Sequence, residues 1–534
     1  MKKTFKKLIA VVLCFALIGC ASAPVAFAAF DPEVSVSEEV NPIVKKLYDV
    51  VDVIIDKVVG AINSFIPTPA SWISAEDYDG KVAMEGMDTF LDEAADGAYW
   101  SLGYANASIL TGNEMDGKHF VGGSLSASDK TVSSVMDDLK VRTVALSDNS
   151  GRGTVVFAVL DAYGMALPQV NIIREQMADY CEANNIVSLN IAVMHQHSAV
   201  DTFGMNGSIV KALGNFFTEN DVNGINEEYM ANLRKVVAAS VEAAVEDMTE
   251  GTLYYGTADF SEYVSDKRDP QVLATEFDRF RFVPADGSEE TWFTTSAIHC
   301  VGNGAGGTDI TGDYPYYMEQ YINETFDANF IMILGAEQGT TQDKDVLELD
   351  EENLTTPEAL TAYGAALAER FNSIDNEVEV EPVLNIKHAA ATYEITNQIL
   401  VFAAKAGLLS NGVLINDDHF EVISEIGYME IGTDIAVVLC PGEIAAELVY
   451  GGCFGADESW TGKDWTYGYI GDMTDKETVI VFGIINDQVG YIIPNNDYMA
   501  LLEPSNKSLE LVSTGNVTAS SMVEDFAELI ASVK

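Results

Sequence analysis

Two nearly unbroken apolar runs, Thr154 to Leu160 (TVVFAVL) and Ile186 to Val193 (IVSLNIAV), constrain this chain more than any other feature. A strand with one wet face alternates apolar and polar residues, whereas a strand covered on both faces does not. Together with Val141–Leu146, these runs predict short buried strands rich in Val and Ile. Between and beyond them lie stretches with helical spacing, Gln169 to Asn184 and the Ala-rich Glu227 to Thr249. Alternation of this kind predicts an α/β fold with mixed sheets and surrounding helices. No internal repeat and no low-complexity linker divides the chain from about Trp72 onward. The expected organisation is therefore a leader at 1–20, a helical segment at 21–71 and one large α/β domain at 72–534.

The second run ends in Val193–Asp201, which reads VMHQHSAVD. Residues two apart on a strand share a side, so His195 and His197 are expected to face one cavity at a strand's carboxyl end. The chain has only 6 His in 534 residues, which makes this pairing notable. Imidazole is the commonest metal ligand and the side chain whose proton affinity lies near neutrality. Read blandly, the pair is two polar residues bonding locally at a strand end. Three later stretches carry comparable chemistry. Phe293–Gly307 delivers His299 from a small apolar strand into a glycine-rich loop. Val437–Gly452 runs a buried strand into Cys440-Pro441-Gly442-Glu443, where a carboxylate opening a helix would be held ionised by free backbone N–H groups. Val479–Tyr491 ends a strand at Asn486-Asp487 and then Tyr491. Each also has a structural reading: a core histidine, an ordinary helix start, a packing tyrosine.

The formal charge is −54, from 83 acidic and 29 basic residues, which excludes nucleic acid as a natural partner for want of a basic surface. The first residues, MKKTFKKLIAVVLCFALIGCAS, give a basic start and an apolar run too short to span a membrane, the pattern of an export signal. Leu17-Ile18-Gly19-Cys20 resembles a bacterial lipobox, which would lipidate Cys20 and anchor the protein to a membrane at the cell surface. Ala26-Phe27-Ala28 offers the competing cleavage that releases a soluble, secreted product. Of the remaining cysteines, Cys181, Cys300, Cys440 and Cys453 match no paired zinc spacing. A Cys440–Cys453 bridge and four buried free thiols both remain open. Asn41–Phe65 carries apolar residues at helical intervals and predicts an amphipathic helix, for which packing on the main body is preferred over a membrane surface. The acidic run Asp343–Glu352 reads as a solvated loop or helix start.

Taken together and in order, these blocks resemble the catalytic domain of the neutral/alkaline ceramidases, a zinc-dependent family. HQHSAVD resembles that family's HTHSGPG, and VVFAVLDAYGM its preceding strand with an acidic residue and Gly-Met. FTTSAIHCVGNG with Ile310-Thr311-Gly312-Asp313-Tyr314-Pro315 is similar to the second histidine block and its SGDYPG segment. PGE and NDQVGY are similar to the blocks supplying glutamate and tyrosine. The resemblance spans about Trp72 to Tyr498. It implies Zn²⁺ held by His195, His299, Glu443 and Tyr491, an acidified water, and His197 as general base and then acid. Asp161 and Asp201 become candidates for fixing an imidazole tautomer. The implied reaction is hydrolysis of the N-acyl amide of ceramide or a related lipid amide. Other readings are a zinc hydrolase of a different ester or amide, or a surface lipoprotein that binds without turnover. The chain departs from the family in several places. The family's GDVSPN serine has no counterpart in Gln338–Asp343, where Thr340 and Thr341 stand and Thr341 is the nominal catalytic substitute. Gly-Pro-Gly becomes Ala199-Val200-Asp201, Trp460–Tyr469 reads as an insertion, and the family's C-terminal immunoglobulin-like domain has no counterpart.

Overall fold

A computed structural model describes residues 42–123, 131–204, 224–268, 271–304, 307–347, 355–501, 503, 505 and 509–534. The segment expected as an export signal, with Cys20 and Ala26–Ala28, lies outside the described residues, as does part of the acidic run.

The chain builds a large mixed α/β domain around two sheets. The larger contains β1 (Trp100–Ser108), β2 (Lys140–Ser147), β3 (Thr154–Leu160), β4 (Ile186–Val193), β5 (Thr249–Asp259), β6 (Glu276–Pro284), β7 (Glu290–Ser296) and β8 (Ala328–Leu334). Its order is β8-β7-β6-β5-β1-β2-β3-β4, with β7–β8 and β3–β4 parallel and the other pairs antiparallel. The second sheet contains β9 (Leu384–Glu394), β10 (Gly412–Ile415), β11 (Phe420–Ile431), β12 (Ile435–Leu439) and β13 (Thr478–Phe482). β11 pairs with β9, β10 and β12, and β12 runs parallel to β13.

The two sheets pack face to face, and this explains the unbroken apolar runs. In β12, Val437 and Leu439 join the core shared with the larger sheet, while Ala436 and Val438 join a second core on the opposite face. Alternate residues thus serve different apolar layers, so no polar residue interrupts the strand. Phe482 at the end of β13 meets Phe157 of β3 and Phe293 of β7 at ring-centre distances of 5.5 and 5.3 Å. Helices cover the outer faces: α4 (Glu227–Glu246) lies on β1 and β2, and α8 (Thr518–Val533) on β9 and β11.

The segment expected as one helix over Gln169–Asn184 is two, α2 (Leu167–Gln176) and α3 (Ala178–Ala183), separated at Met177. Helix α5 (Asp313–Phe326) lies between β7 and β8, and α6 (Pro357–Asn372) between β8 and β9. Near the start, α1 (Pro42–Asn63) packs on α7 (Gln398–Lys405) through Val59, Ile62, Phe402 and Ala406. The four cysteines are free thiols, so Cys440 and Cys453 form no bridge, and Cys440 Sγ instead lies 3.6 Å from Met522 Sδ.

Beneath β2 lies a buried ionic network. Arg142 donates to Asp161 Oδ1 and Glu319 Oε2, both at 2.8 Å, and Lys140 Nζ adds a second contact to Glu319 at 3.0 Å. Asp161 Oδ1 also accepts from Gln196 Nε2 at 2.9 Å. Asp161 therefore supports the loop between the two histidines by holding Gln196 and touches no imidazole, which corrects its expected role. Removing one partner of a buried ionic cluster leaves uncompensated charge. Arg142→Met should lower the unfolding free energy by about 3 kcal/mol or more, read from the urea midpoint.

Candidate metal centre

The two sheets bring four strand ends together. His195 and His197 follow β4, His299 follows β7, Glu443 follows β12, and Tyr491 lies beyond β13. Backbone hydrogen bonds fasten these ends: Cys440 N to Phe482 O at 2.8 Å, Asn486 N to Ile191 O at 2.7 Å, and His197 N to Cys300 O at 3.1 Å. The strand expected to carry both histidines stops at Val193, and His195 sits in the left-handed region at φ 52°. The shared orientation therefore comes from a turn beyond the strand. The ring centres of His195 and His197 are 4.7 Å apart, and those of His195 and His299 are 5.2 Å apart.

The tautomers follow from the partners. His195 Nδ1 lies 2.7 Å from Tyr163 O, and His197 Nδ1 lies 2.7 Å from Gly123 O. A carbonyl can only accept, so each Nδ1 carries the proton and each Nε2 presents a lone pair. Both Nε2 atoms are buried with no hydrogen-bond partner. Gly123 has φ 77°, and a Cβ there would stand 2.3 Å from His197 Cα, so close approach of this carbonyl requires glycine. Tyr163 stacks on His195 at 4.4 Å. His299 Nε2 lies 2.9 Å from Glu443 Oε2 and 3.2 Å from Tyr491 Oη, and His195 Nε2 lies 3.6 Å from the same carboxylate oxygen.

Burial pulls the proton affinities of His195, His197 and His299 down, that of His299 to about 4, so all three imidazoles are neutral at pH 7. Burial alone would raise Glu443; attraction to the protonated forms of His195 and His299 and hydrogen bonds from His299 and Tyr491 act against it and lower the carboxylate. Burial first, and then the charge of Glu443, push the Tyr491 phenol upward. Neutral imidazoles, an ionised carboxylate and a phenol oxygen form a donor set that fits a divalent cation such as Zn²⁺. Two groups of ligand atoms lie within 4.8 Å of one another: His195, His197 and His299, and His299, Glu337 and Glu443.

All of the residues expected at a metal converge here. The expected setting of Glu443 does not hold: it lies in a two-residue strand, Glu443–Ile444, paired with Tyr491–Ile492, and the following helix starts at Ala446. Its carboxylate is held by His299 and by Gln488 Nε2 at 2.9 Å rather than by helix N–H groups. The hydroxyl nearest the centre belongs to Thr340, with Oγ1 3.4 Å from His299 Nδ1. Thr341 is the next residue of the strand Thr340–Gln342, opposite Ser265, on the other side of the pleat. Asp201 Oδ1 accepts from Phe203 N and Gly204 N, shaping the loop after the histidines. Both expected carboxylate tautomer partners are thus replaced by the backbone carbonyls of Tyr163 and Gly123.

Sequence reading missed Glu337, Gln488 and Lys267. Glu337 is fully buried, and its Oε2 lies 3.1 Å from His299 Nδ1. Neither of its oxygens has an aligned hydrogen bond. Burial, and then the charge of Glu443, push its carboxyl well up. Lys267 donates its backbone N–H to Gly339 O at 3.0 Å, and burial lowers its ammonium beside Glu443. An acidic residue just past the all-apolar end of β8, in Leu334-Gly335-Ala336-Glu337, was the available signal for Glu337.

Two predictions follow from these contacts. When His299 Nε2 is a ligand its proton is on Nδ1, facing Glu337, so Glu337→Gln should weaken Zn²⁺ binding by about tenfold or more. Competition with a chromophoric chelator reads this, and unchanged affinity would exclude the contact. Asp487, from the same block as Tyr491, accepts from Leu167 N at 2.9 Å and Asn411 Nδ2 at 3.0 Å, while burial pushes it up to about 7. A raised carboxyl stabilises the fold fully below its unfolded value near 3.8, and this stabilisation is lost as pH rises through about 7. Asp487→Asn should therefore gain stability relative to the parent between pH 4 and 8, as followed by thermal melts.

The fold is similar to that of the neutral ceramidase from Pseudomonas aeruginosa, with a TM-score of 0.59 and 14% identity over 82% of this chain and 75% of that chain. A structure described as ceramidase complexed with C2 gives 0.59 and 13% over the same shares. No family model matches the chain. No curated protein matches it in sequence. At these identities the likeness is one of fold.

Proposed function

We propose that this protein is an exported, zinc-dependent hydrolase that cleaves the N-acyl amide of a lipid, as ceramidases do. The observation that carries the reading is the convergence of His195, His197, His299, Glu443 and Tyr491 on one buried centre, with two imidazole Nε2 lone pairs unclaimed. The ceramidase likeness of the fold supports it. An apolar cavity of about 50 Å³ also supports it, because Tyr163, Phe203, Leu400, Leu409 and Val489 line it beside Glu443. Export rests on the amino-terminal basic and apolar pattern.

In this reading His195, His299, Glu443 and Tyr491 hold the cation. A bound divalent cation supplies Lewis acidity, polarising the acyl carbonyl and acidifying a water. His197, its Nδ1 proton donated to Gly123 O, presents the Nε2 lone pair to the same space. It accepts the proton of the attacking water and returns it to the departing amine nitrogen. The low proton affinity that burial imposes on His197 makes its protonated form a strong donor in the second step. The apolar wall of Leu400, Leu409 and Val489 receives hydrocarbon and keeps water from that side of the centre.

A second reading, a zinc hydrolase of another amide or ester, is favoured by Glu337 and Thr340 standing beside His299 while the stretch Gln338–Asp343, similar to the ceramidase serine block, carries no serine. Elemental analysis and turnover test both readings. The purified protein should carry about one zinc per chain, lost in His195→Ala. His197→Ala should keep the metal and lose about 10²-fold or more in kcat. Hydrolysis of a long-chain N-acyl lipid amide in preference to a soluble one supports the first reading, and the reverse preference the second. Absence of zinc from the unmutated protein would sink both.

A further inference from the structure

Helix α1 has an apolar face wider than the partner that covers it. Successive residues turn by about 100°, so Ile55, Val59 and Ile62 form one strip, and Leu47, Val50, Ile54 and Val58 form a second strip beside it. The first strip packs on α7, with Val59 and Ile62 against Phe402 and Ala406. Asn63 Nδ2 to Gln398 O at 2.8 Å and Lys405 Nζ to Asn63 O at 3.0 Å fix this packing. The second strip faces out: Leu47 is 61% exposed, Val50 and Ile54 each 55%, and Val58 38%. The charged side of the helix is also engaged, with Asp52 accepting from Leu501 N at 2.9 Å and Lys45 over the Trp460 ring at 4.6 Å. The helix is thus held in a fixed rotation, with a row of large aliphatic side chains turned to solvent.

Its place in the molecule points to what covers that row. Helix α7, on which α1 lies, uses Leu400 and Ala404 to line the apolar cavity that reaches Glu443 and Gln488. The helix that lines this cavity is thus the one against which α1 packs. The chain ahead of α1 begins with the export pattern and Cys20. No described helix is long and apolar enough to cross a membrane, so α1 would lie on a lipid surface rather than span it. We propose that α1 docks the protein on a lipid bilayer through Leu47, Val50, Ile54 and Val58, setting the α7 cavity at the lipid surface. This deepens the lipid-amide reading and rests on it for the identity of what enters the cavity; the docking itself does not. With a chain charge of −54, the surface that fits is a zwitterionic one, since anionic lipid would be repelled.

The test is co-sedimentation with phosphatidylcholine vesicles, using the full chain with Cys20→Ser so that no acyl anchor contributes. The parent should sediment with the vesicles. Leu47→Glu and Ile54→Glu should each weaken partitioning by about tenfold or more, since each charge falls in the contact strip. Tyr99→Glu, an equal charge at an exposed site on the larger sheet's side, should leave partitioning unchanged. Circular dichroism and zinc content of each variant report the fold. A parent that stays in the supernatant, or strip variants that sediment like the parent, would overturn the proposal. So would light scattering that shows a dimer abolished by Ile54→Glu, because the occupant is then a second copy. Vesicle binding is read without turnover, so a protein that docks but hydrolyses nothing defeats the functional reading and leaves the docking standing.

Discussion

The edge of β4 is the constraint on which the site depends. A strand at the end of a sheet, buried on both faces, must find partners for the N–H and C=O groups on its open edge or lose the cost of burying them. Here the partners come from the other sheet. Asn486 N donates to Ile191 O, its side-chain Oδ1 accepts from Ile191 N at 2.9 Å, and its Nδ2 donates to Asn190 Oδ1 at 3.0 Å. Asn486 does this at φ 64°, a conformation that asparagine tolerates better than most residues. Ile484, at φ 45°, accepts from Val193 N just before the histidine turn. These bonds join the end of β4 to the segment that runs on to Tyr491, and Glu443–Ile444 then pairs with Tyr491–Ile492. Satisfying one sheet edge thus brings imidazoles from one sheet to carboxylate and phenol from the other.

The polar contents of this junction are arranged in two tiers. Below it, Arg142 neutralises Asp161 and Glu319, and Asp161 passes the order on to Gln196, the residue between the two histidines. At the junction itself the imidazoles are steered by main-chain carbonyls, which do not titrate. A carboxylate partner would add negative charge beside Glu443 and Glu337, already two buried acids close together. Carbonyls orient His195 and His197 without deepening that imbalance. The division also explains why the lower network tolerates full burial: each of its charges has an opposite at 2.8 to 3.0 Å.

Much of the fold was legible because its strands are short, apolar and bounded by turn residues. Thr154–Leu160 and Ile186–Val193 match the observed strands residue for residue, and the helix at Asn41–Phe65 is seen over Pro42–Asn63. The division of Gln169–Asn184 at Met177 was not legible, because the apolar spacing continues across it while the chain bends to keep both halves on the sheet. At the site, residue types and strand-end positions were readable, so His195, His197, His299, Glu443 and Tyr491 were named from the sequence, and the structure brings them together. Their supports were not. Backbone acceptors such as Tyr163 O and Gly123 O leave no mark in side-chain chemistry, and Glu337 declares itself only when the end of β8 is placed beside His299. The two-residue pairing of Glu443 with Tyr491 was hidden by 48 residues of sequence and by a Pro-Gly that normally signals a helix start.

The charge balance of the junction argues for what it holds. Three imidazoles forced neutral by burial supply no positive charge at pH 7, yet they surround Glu443, which stays ionised, and Glu337, which burial and Glu443 push toward the protonated form. Lys267 stands beside them, its ammonium weakened by the same burial. Elsewhere several buried acids face guanidinium groups, Asp161 and Glu319 with Arg142, Asp497 and Glu510 with Arg268, and Glu425 with Arg174, while Asp487 is held by neutral donors. At the junction, neutral imidazoles stand beside two buried carboxylates, Glu337 and Glu443. A cation that bound this arrangement in the folded state alone would add to the stability of the fold. The junction thus gathers, from both sheets, a donor set of imidazole, carboxylate and phenol that fits a divalent cation.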